Sequence, residues 1–481
     1  KRVKEGVDVF IGKGKDNNEL DPKRLYYFEN GKYYEEVASA GDIVSVTNLS
    51  GTSAGTSAEA GGLALGSRLM KLELLDQVVL NGLTEDQTDI STDSYTAEME
   101  LTGIGGIYIP ASNTVFIGGE NYQNSFSGKT EVGASGKLSL VATEALGNTE
   151  SVVLGSAATL TVSKRIDSKE DKPTTSQTIK NINGADDKTS LVIEKDNSLK
   201  LTGSTDAGQI GIVSGAGNLR IENTKFKILS SGTFSGPTNL TASTLTLNKA
   251  DSLGTSAVTF VANSKVIFES PDGTSNNNNT FQGEGSLLVN GGSLTLAGKY
   301  VDLTPTFTGG LTLENATVST DKESDYGWKR VGSGNIALNG TSSLTVYYSN
   351  DQEKDSASFE NKKLSGSGTL SLVNSGTNQD SFKFGSQNNS GTFTGTLALN
   401  NVGISLDGQN ATAMGNASLK LDNQSTAAIV KEAFKTTGKV SFLAGATLDF
   451  SSVPSYLVPK KFPTPLPPPK DLTFRIPLKE K

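Results

Sequence analysis

Leucine and valine alternate with serine and threonine along most of the chain. The strings Lys137-Leu138-Ser139-Leu140, Thr159-Leu160-Thr161-Val162, Thr244-Leu245-Thr246-Leu247 and Ser293-Leu294-Thr295-Leu296 open the series. Ser343-Leu344-Thr345-Val346, Thr369-Leu370-Ser371-Leu372, Thr396-Leu397-Ala398-Leu399 and Ser418-Leu419-Lys420-Leu421 continue it. A period of two sends alternate side chains to opposite faces, so each string predicts a strand with one buried face. Gly, Asn, Ser and Asp stand between the strings, as turns require. Helical spacing is confined to residues 63–75 (LALGSRLMKLELL) and 425–434 (STAAIVKEAF), which are expected as helices.

A longer unit repeats. Phe126-Ser127-Gly128 leads through Leu138 and Leu140 to Ala145-Leu146-Gly147. Phe234-Ser235-Gly236 leads through Leu245 and Leu247 to Ser252-Leu253-Gly254, and Phe393-Thr394-Gly395 through Leu397 and Leu399 to Ala413-Met414-Gly415. Phe and closing Gly lie 21, 20 and 22 residues apart, a span that fits one coil of a stacked solenoid. Leu140, Leu247 and Leu399 are expected at equivalent inward positions. A second signature, Gly-x-Gly-x-apolar-x-apolar, starts at Gly215, Gly283, Gly332 and Gly366. Its glycines suit corners with positive φ. A phosphate-cradling loop would need a helix to follow, and an alternating run follows each time.

Composition sharpens the picture. Apolar residues make up 35% of the 481 and aromatics 7%, against roughly 45–50% apolar in an ordinary domain. Such a chain builds its core in many thin layers. The expected class is all-β: a right-handed parallel β-helix (β-solenoid) with protruding loops. Residues 1–110, richer in aromatic and charged side chains, are expected to form an N-terminal cap or irregular early coils, with Tyr26, Tyr27 and Phe28 facing Tyr33 and Tyr34 across an Asn30-Gly31 hairpin turn. Residues 111–452 carry the regular repeats. Residues 453–481 hold eight of the fourteen prolines and are expected as an extended linker. The charged, turn-rich stretches 165–187 and 350–363 are expected as projecting loops. The chain opens at Lys1 rather than Met, so an export signal is expected outside it.

The chain has no His and no Cys. That removes imidazole-based catalytic triads, imidazole metal ligands, disulfides and thiolate chemistry. The segment Gly51-Thr52-Ser53-Ala54-Gly55-Thr56-Ser57 is similar to the nucleophile region of subtilisin-like proteases, but lacks a His base and is read as a Gly/Ser loop. Forty-three basic and 51 acidic side chains leave a net charge of −8, which is not the footprint of a nucleic-acid binder. No apolar run approaches 18 residues, so no helical membrane span is expected.

The F-S-G…L-x-L…A-L-G unit and the G-x-G-x-L-x-L strings, over about residues 121–450, resemble the strand repeats in passenger domains of classical monomeric (type V) autotransporters. The closest likeness is to the adhesin and self-association branch. The resemblance implies export through the periplasm and outer membrane to the surface of a Gram-negative bacterium. It implies attachment to host glycans or extracellular matrix proteins, self-association and biofilm formation, or both, as a virulence factor. Membrane contact would come only through the family's C-terminal translocator barrel, for which this chain carries no strands. No enzymatic activity, cofactor or metal is expected. A polysaccharide-degrading β-helix enzyme and a passive stalk for a separate effector are the alternatives.

Three candidate contact sites stand out. Asn276-Asn277-Asn278-Asn279, in a Gly/Ser setting, reads as a protruding loop tip able to hydrogen-bond a ligand or another solenoid, or as a plain loop. Tyr326 and the only Trp, Trp328, lie among mixed charges in residues 321–330, either as a sugar-stacking platform or as a cover for a coil edge. Lys164, Arg165, Lys169 and Lys172 form a local basic cluster that could hold an anionic glycan.

Overall fold

A computed structural model describes residues 73–80, 100–118, 123–164, 174–203, 208–261, 263–299, 307–323, 326–349, 362–377 and 392–404, parts of 417–427, and short pieces elsewhere. For several strands toward the two ends it describes only the backbone path. Parallel strands stack coil on coil, so the chain is a β-solenoid. It divides into two compact units, residues 1–245 with 252–256, and residues 246–251 with 257–481.

The first unit stacks its strands in three parallel sheets, and some of its coils contribute a strand to each. One coil supplies Ile182–Gly184, Ser190–Ile193 and Ser198–Leu201; the next supplies Gly208–Ile210, Ile212–Gly215 and Asn218–Glu222. Register is kept exactly where the alternation demands it. Val115, Leu138, Leu160, Leu191 and Val213 pair in sequence down one sheet, and all are fully buried. A one-residue slip would turn that column to solvent, so the column locks the stack. Paired residues on neighbouring coils lie from 17 positions apart (Leu63 and Leu80) to 31 (Thr159 and Ser190). Antiparallel pairing joins Asp8–Ile11, Leu25–Glu29 and Lys32–Glu36, with Glu29 opposite Lys32, and an isolated antiparallel bridge joins Tyr326 to Tyr348.

The second unit pairs Ser286–Asn290, Leu311–Glu314, Ile336–Asn339 and Leu364–Gly366 in one sheet. A neighbouring sheet runs Asp272–Asn277, Ser293–Leu296, Thr317–Thr320, Ser343–Tyr348, Thr369–Asn374, Thr396–Asn400, Ser418–Asp422 and Val440–Phe442. Its inward column, Leu294, Val318, Leu344, Leu370, Leu397 and Leu419, is at most 3% exposed.

The Phe signature meets the Gly signature of the preceding coil at Gly215, Gly283 and Gly366, and also at Gly103. Phe126, Phe234, Phe307 and Phe393 are fully buried. The residue after each (Ser127, Ser235, Thr308, Thr394) donates its N–H to the carbonyl of Gly103, Gly215, Gly283 or Gly366 on the preceding coil. Those four glycines have φ between +91° and +102°. Gly128, Gly236, Gly309 and Gly395 then press on Gly105, Gly217, Gly285 and Gly368, where an added Cβ would come within 2.4 Å of backbone.

Several expectations need correction. Residues 63–75 hold strands Leu63–Ala64 and Lys71–Leu74, and Thr426–Ile429 is a strand paired with Gly403–Leu406. In both places pairing with neighbouring coils outweighs helix propensity. Leu140, Leu247 and Leu399 are all buried but lie in three different sheets, because the coils vary in length and the repeat drifts in phase. Stretch 165–187 contains the paired strand Ser176–Ile179, and 350–363 contains Phe359 at 1% exposure and Lys362 at 5%. In the tail, Thr473–Arg475 pairs with Thr447–Asp449.

Candidate functional site

Outward-facing positions of the second unit's long sheet form two straight rows. Ser293, Thr317, Ser343, Thr369, Thr396 and Ser418 make the first, each in register with the next. Asn276, Thr295, Ser319, Thr345 and Ser371 make the second, continued by Ala398 and Lys420. These side chains are exposed or half-buried. The rows follow directly from the S/T-L-S/T-L strings: leucines fill the core, so the intervening hydroxyls must face out. Steps along a row are about 4.7–4.9 Å, and the two rows lie two residues apart along each strand, about 6.6 Å. Some hydroxyls hold each other: Thr295 Oγ1 and Ser319 Oγ are 3.2 Å apart, and Ser343 Oγ donates to Thr317 Oγ1 at 3.4 Å.

Both rows are uncharged except at their ends. Asp272, in register with Ser293, is bound by Lys249 at 2.7 Å, and that ammonium together with two bonds from Thr274 holds its carboxyl far below the usual range. Lys420 pairs with Asp422 at 3.0 Å.

Residues 321–330 border this face. The short helix Gly327–Arg330 packs on strands Ser343–Tyr348 and Thr317–Thr320. Arg330 donates to the Leu296 carbonyl at 3.0 Å and lies 3.8 Å from Asp321. Lys329, 5% exposed, places its ammonium 4.9 Å from the Trp328 ring centre and 5.3 Å from that of Tyr326, a cation–π arrangement. Both aromatics are half-buried. Tyr347 faces outward beside the second row, with Lys322 Nζ 5.9 Å from its ring centre. Its N–H is fixed by Thr320 Oγ1 at 2.8 Å.

Of the residues singled out from sequence, Asn276 joins the second row and Tyr326 and Trp328 border the same sheet. The loop-tip reading of the four asparagines is corrected. Asn277 and Asn279 are 0% and 2% exposed, while Asn276 and Asn278 face solvent. Asn277 Nδ2 donates to the Ala250 carbonyl at 2.8 Å and to Asn279 Oδ1 at 2.7 Å. Burial alternates through all four asparagines, although the strand Asp272–Asn277 shifts register between Asp272 and Asn276 and ends at Asn277. Lys164 belongs to the first unit and pairs with Asp196 at 3.7 Å; Arg165, Lys169 and Lys172 lie outside the described residues.

The repetition of the coils leads one to expect ladders of Asn, Thr and Asp as a binding surface, but sequence reasoning missed Tyr347 and did not place the hydroxyl rows on this sheet, although the repeated S/T-x-S/T spacing was their signal. It also missed Lys362, whose ammonium donates to the Gly332 carbonyl and sits 5.2 Å from the Phe359 ring centre. Burial pushes that group down to about 7. No protein-family model, curated protein or solved structure matches the chain.

Proposed function

We propose that this chain is the body of a bacterial surface adhesin of the autotransporter-passenger type, binding through its long polar sheet face without turning its ligand over. The observation that supports this reading most is the pair of hydroxyl rows on consecutive coils. A surface repeated at every step offers many identical weak hydrogen bonds, and avidity makes such a set adhesive without any single strong site. Attachment to glycans or matrix, or self-association between neighbouring cells, would both use it. Exposure on a Gram-negative surface belongs to the same proposal.

Surface display on a non-aggregating Gram-negative strain tests it. Displaying cells are expected to be retained on glycan- or matrix-coated surfaces, or to settle faster than the empty strain. Cells that do neither, at verified surface density, would overturn the adhesin reading in favour of a stalk. Release of new reducing ends from a bound polysaccharide would overturn it in favour of an enzyme.

A further inference from the structure

The geometry points to a neutral, linear polysaccharide, lying along the two hydroxyl rows with a sugar stacked at Tyr347, as the ligand of the second unit's long sheet. This inference rests on the adhesin reading and names its ligand class. Three observations carry it.

The first is charge. From Asn276 to Ser371 in one row and from Ser293 to Thr396 in the other, every residue is Ser, Thr or Asn. The charges at the ends, Asp272 and Lys420, are already paired with Lys249 and Asp422. The rows themselves offer an anionic polymer no unpaired cation, and the exposed ammonium of Lys322 lies beside the Tyr347 ring, off the rows. The second is hydrogen-bonding type. A hydroxyl both donates and accepts, so a row of them matches a ligand whose own groups do both, as a sugar polymer's do. The third is the neighbouring aromatic: Tyr347 is anchored through its backbone by Thr320 and stands beside Thr345 in the second row. An aromatic face next to fixed hydroxyls suits the apolar C–H face and polar rim of a pyranose. A step of about 4.7–4.9 Å between rungs is also close to one sugar of an extended chain, so successive residues can meet successive rungs.

Affinity electrophoresis of the full chain tests this, with a β-linked glucan and a galactomannan as neutral probes and heparin as the anionic one. Retardation by a neutral probe is expected, with little change between low and high salt, because no charges are engaged. The double variant Thr345→Val, Ser371→Ala keeps strand shape and removes two hydroxyls; binding about tenfold weaker or more is expected. Tyr347→Ala should weaken it comparably, and Thr159→Val with Thr161→Val in the first unit should leave it unchanged. Circular dichroism and the thermal midpoint verify that each variant folds. Retention by heparin alone, lost with salt, would overturn the inference, as would unchanged affinity in the folded double variant or loss of self-association as its only effect. If displayed cells adhere and neutral polymers fail to compete, the ligand class falls and the adhesin reading stands. If they do not adhere at all, the adhesin reading falls as well.

Discussion

Gly366 shows how much a single residue settles in this fold. Its φ is +91°, and a Cβ there would lie 2.1 Å from the Leu338 carbonyl. Its own carbonyl receives the Thr394 N–H that seats Phe393 in the core. Gly366→Ala should therefore cost of order 1–3 kcal/mol from backbone strain before any clash, and Phe393→Ala about 3–5 kcal/mol. Thermal denaturation checks both; an unchanged midpoint in either would contradict the clasp. Both motifs were visible in sequence, but not that they meet, because their contact crosses a coil whose length the sequence does not announce. Thr306-Phe307-Thr308-Gly309 was passed over as a copy for the same reason. Lys362 gives a second test at this scale. Burial holds its folded value near 7, below the roughly 10.4 of an exposed lysine. Between those values the unfolded chain keeps a proton that the folded chain lacks, so this group makes stability rise with pH across that window. Below pH 7 its cost is constant. Lys362→Met should raise the midpoint at pH 7, with the advantage over the parent shrinking toward pH 10. Parallel curves for the two proteins would contradict the burial.

Strands show the same logic one level up. Leu344 and Thr345 are adjacent, one fully buried and one on the outer row. Leu344→Asp buries an unpaired carboxylate and should cost several kcal/mol, whereas Thr345→Asp should change stability by about 0.5 kcal/mol or less. The asparagine stretch extends the contrast. Asn277→Ala leaves the Ala250 carbonyl without its donor and should cost about 1–3 kcal/mol; Asn276→Ala should be near neutral. Equal midpoints for these two variants would refute the alternating placement. Period-two strings were legible because burial imposes them. The asparagines were misread because residue type suggested a turn while the neighbouring coil, Ser293–Leu296, imposed a strand. Residues 63–75 and 425–434 were misread for the mirror reason: good helix formers captured by parallel pairing.

A low apolar fraction is sufficient for the chain as a whole because each coil buries only alternate residues of short strands. The rest are free to face outward, and in the second unit's long sheet they are hydroxyls coil after coil. The solenoid class was therefore readable from repetition. The assignment of strands to sheets was not, since offsets from 17 to 31 residues between coils shift the phase of the repeat. The place of the proposed binding surface was hidden for a related reason: neighbouring rungs lie 19 to 27 positions apart in the chain, and no single one stands out. The most direct test of that surface is attachment of displaying cells to a neutral-glycan coat, comparing the parent with Thr345→Val, Ser371→Ala at equal surface density. Strong retention of the parent and about tenfold less for the variant is the predicted result; equal retention of the two would contradict the account.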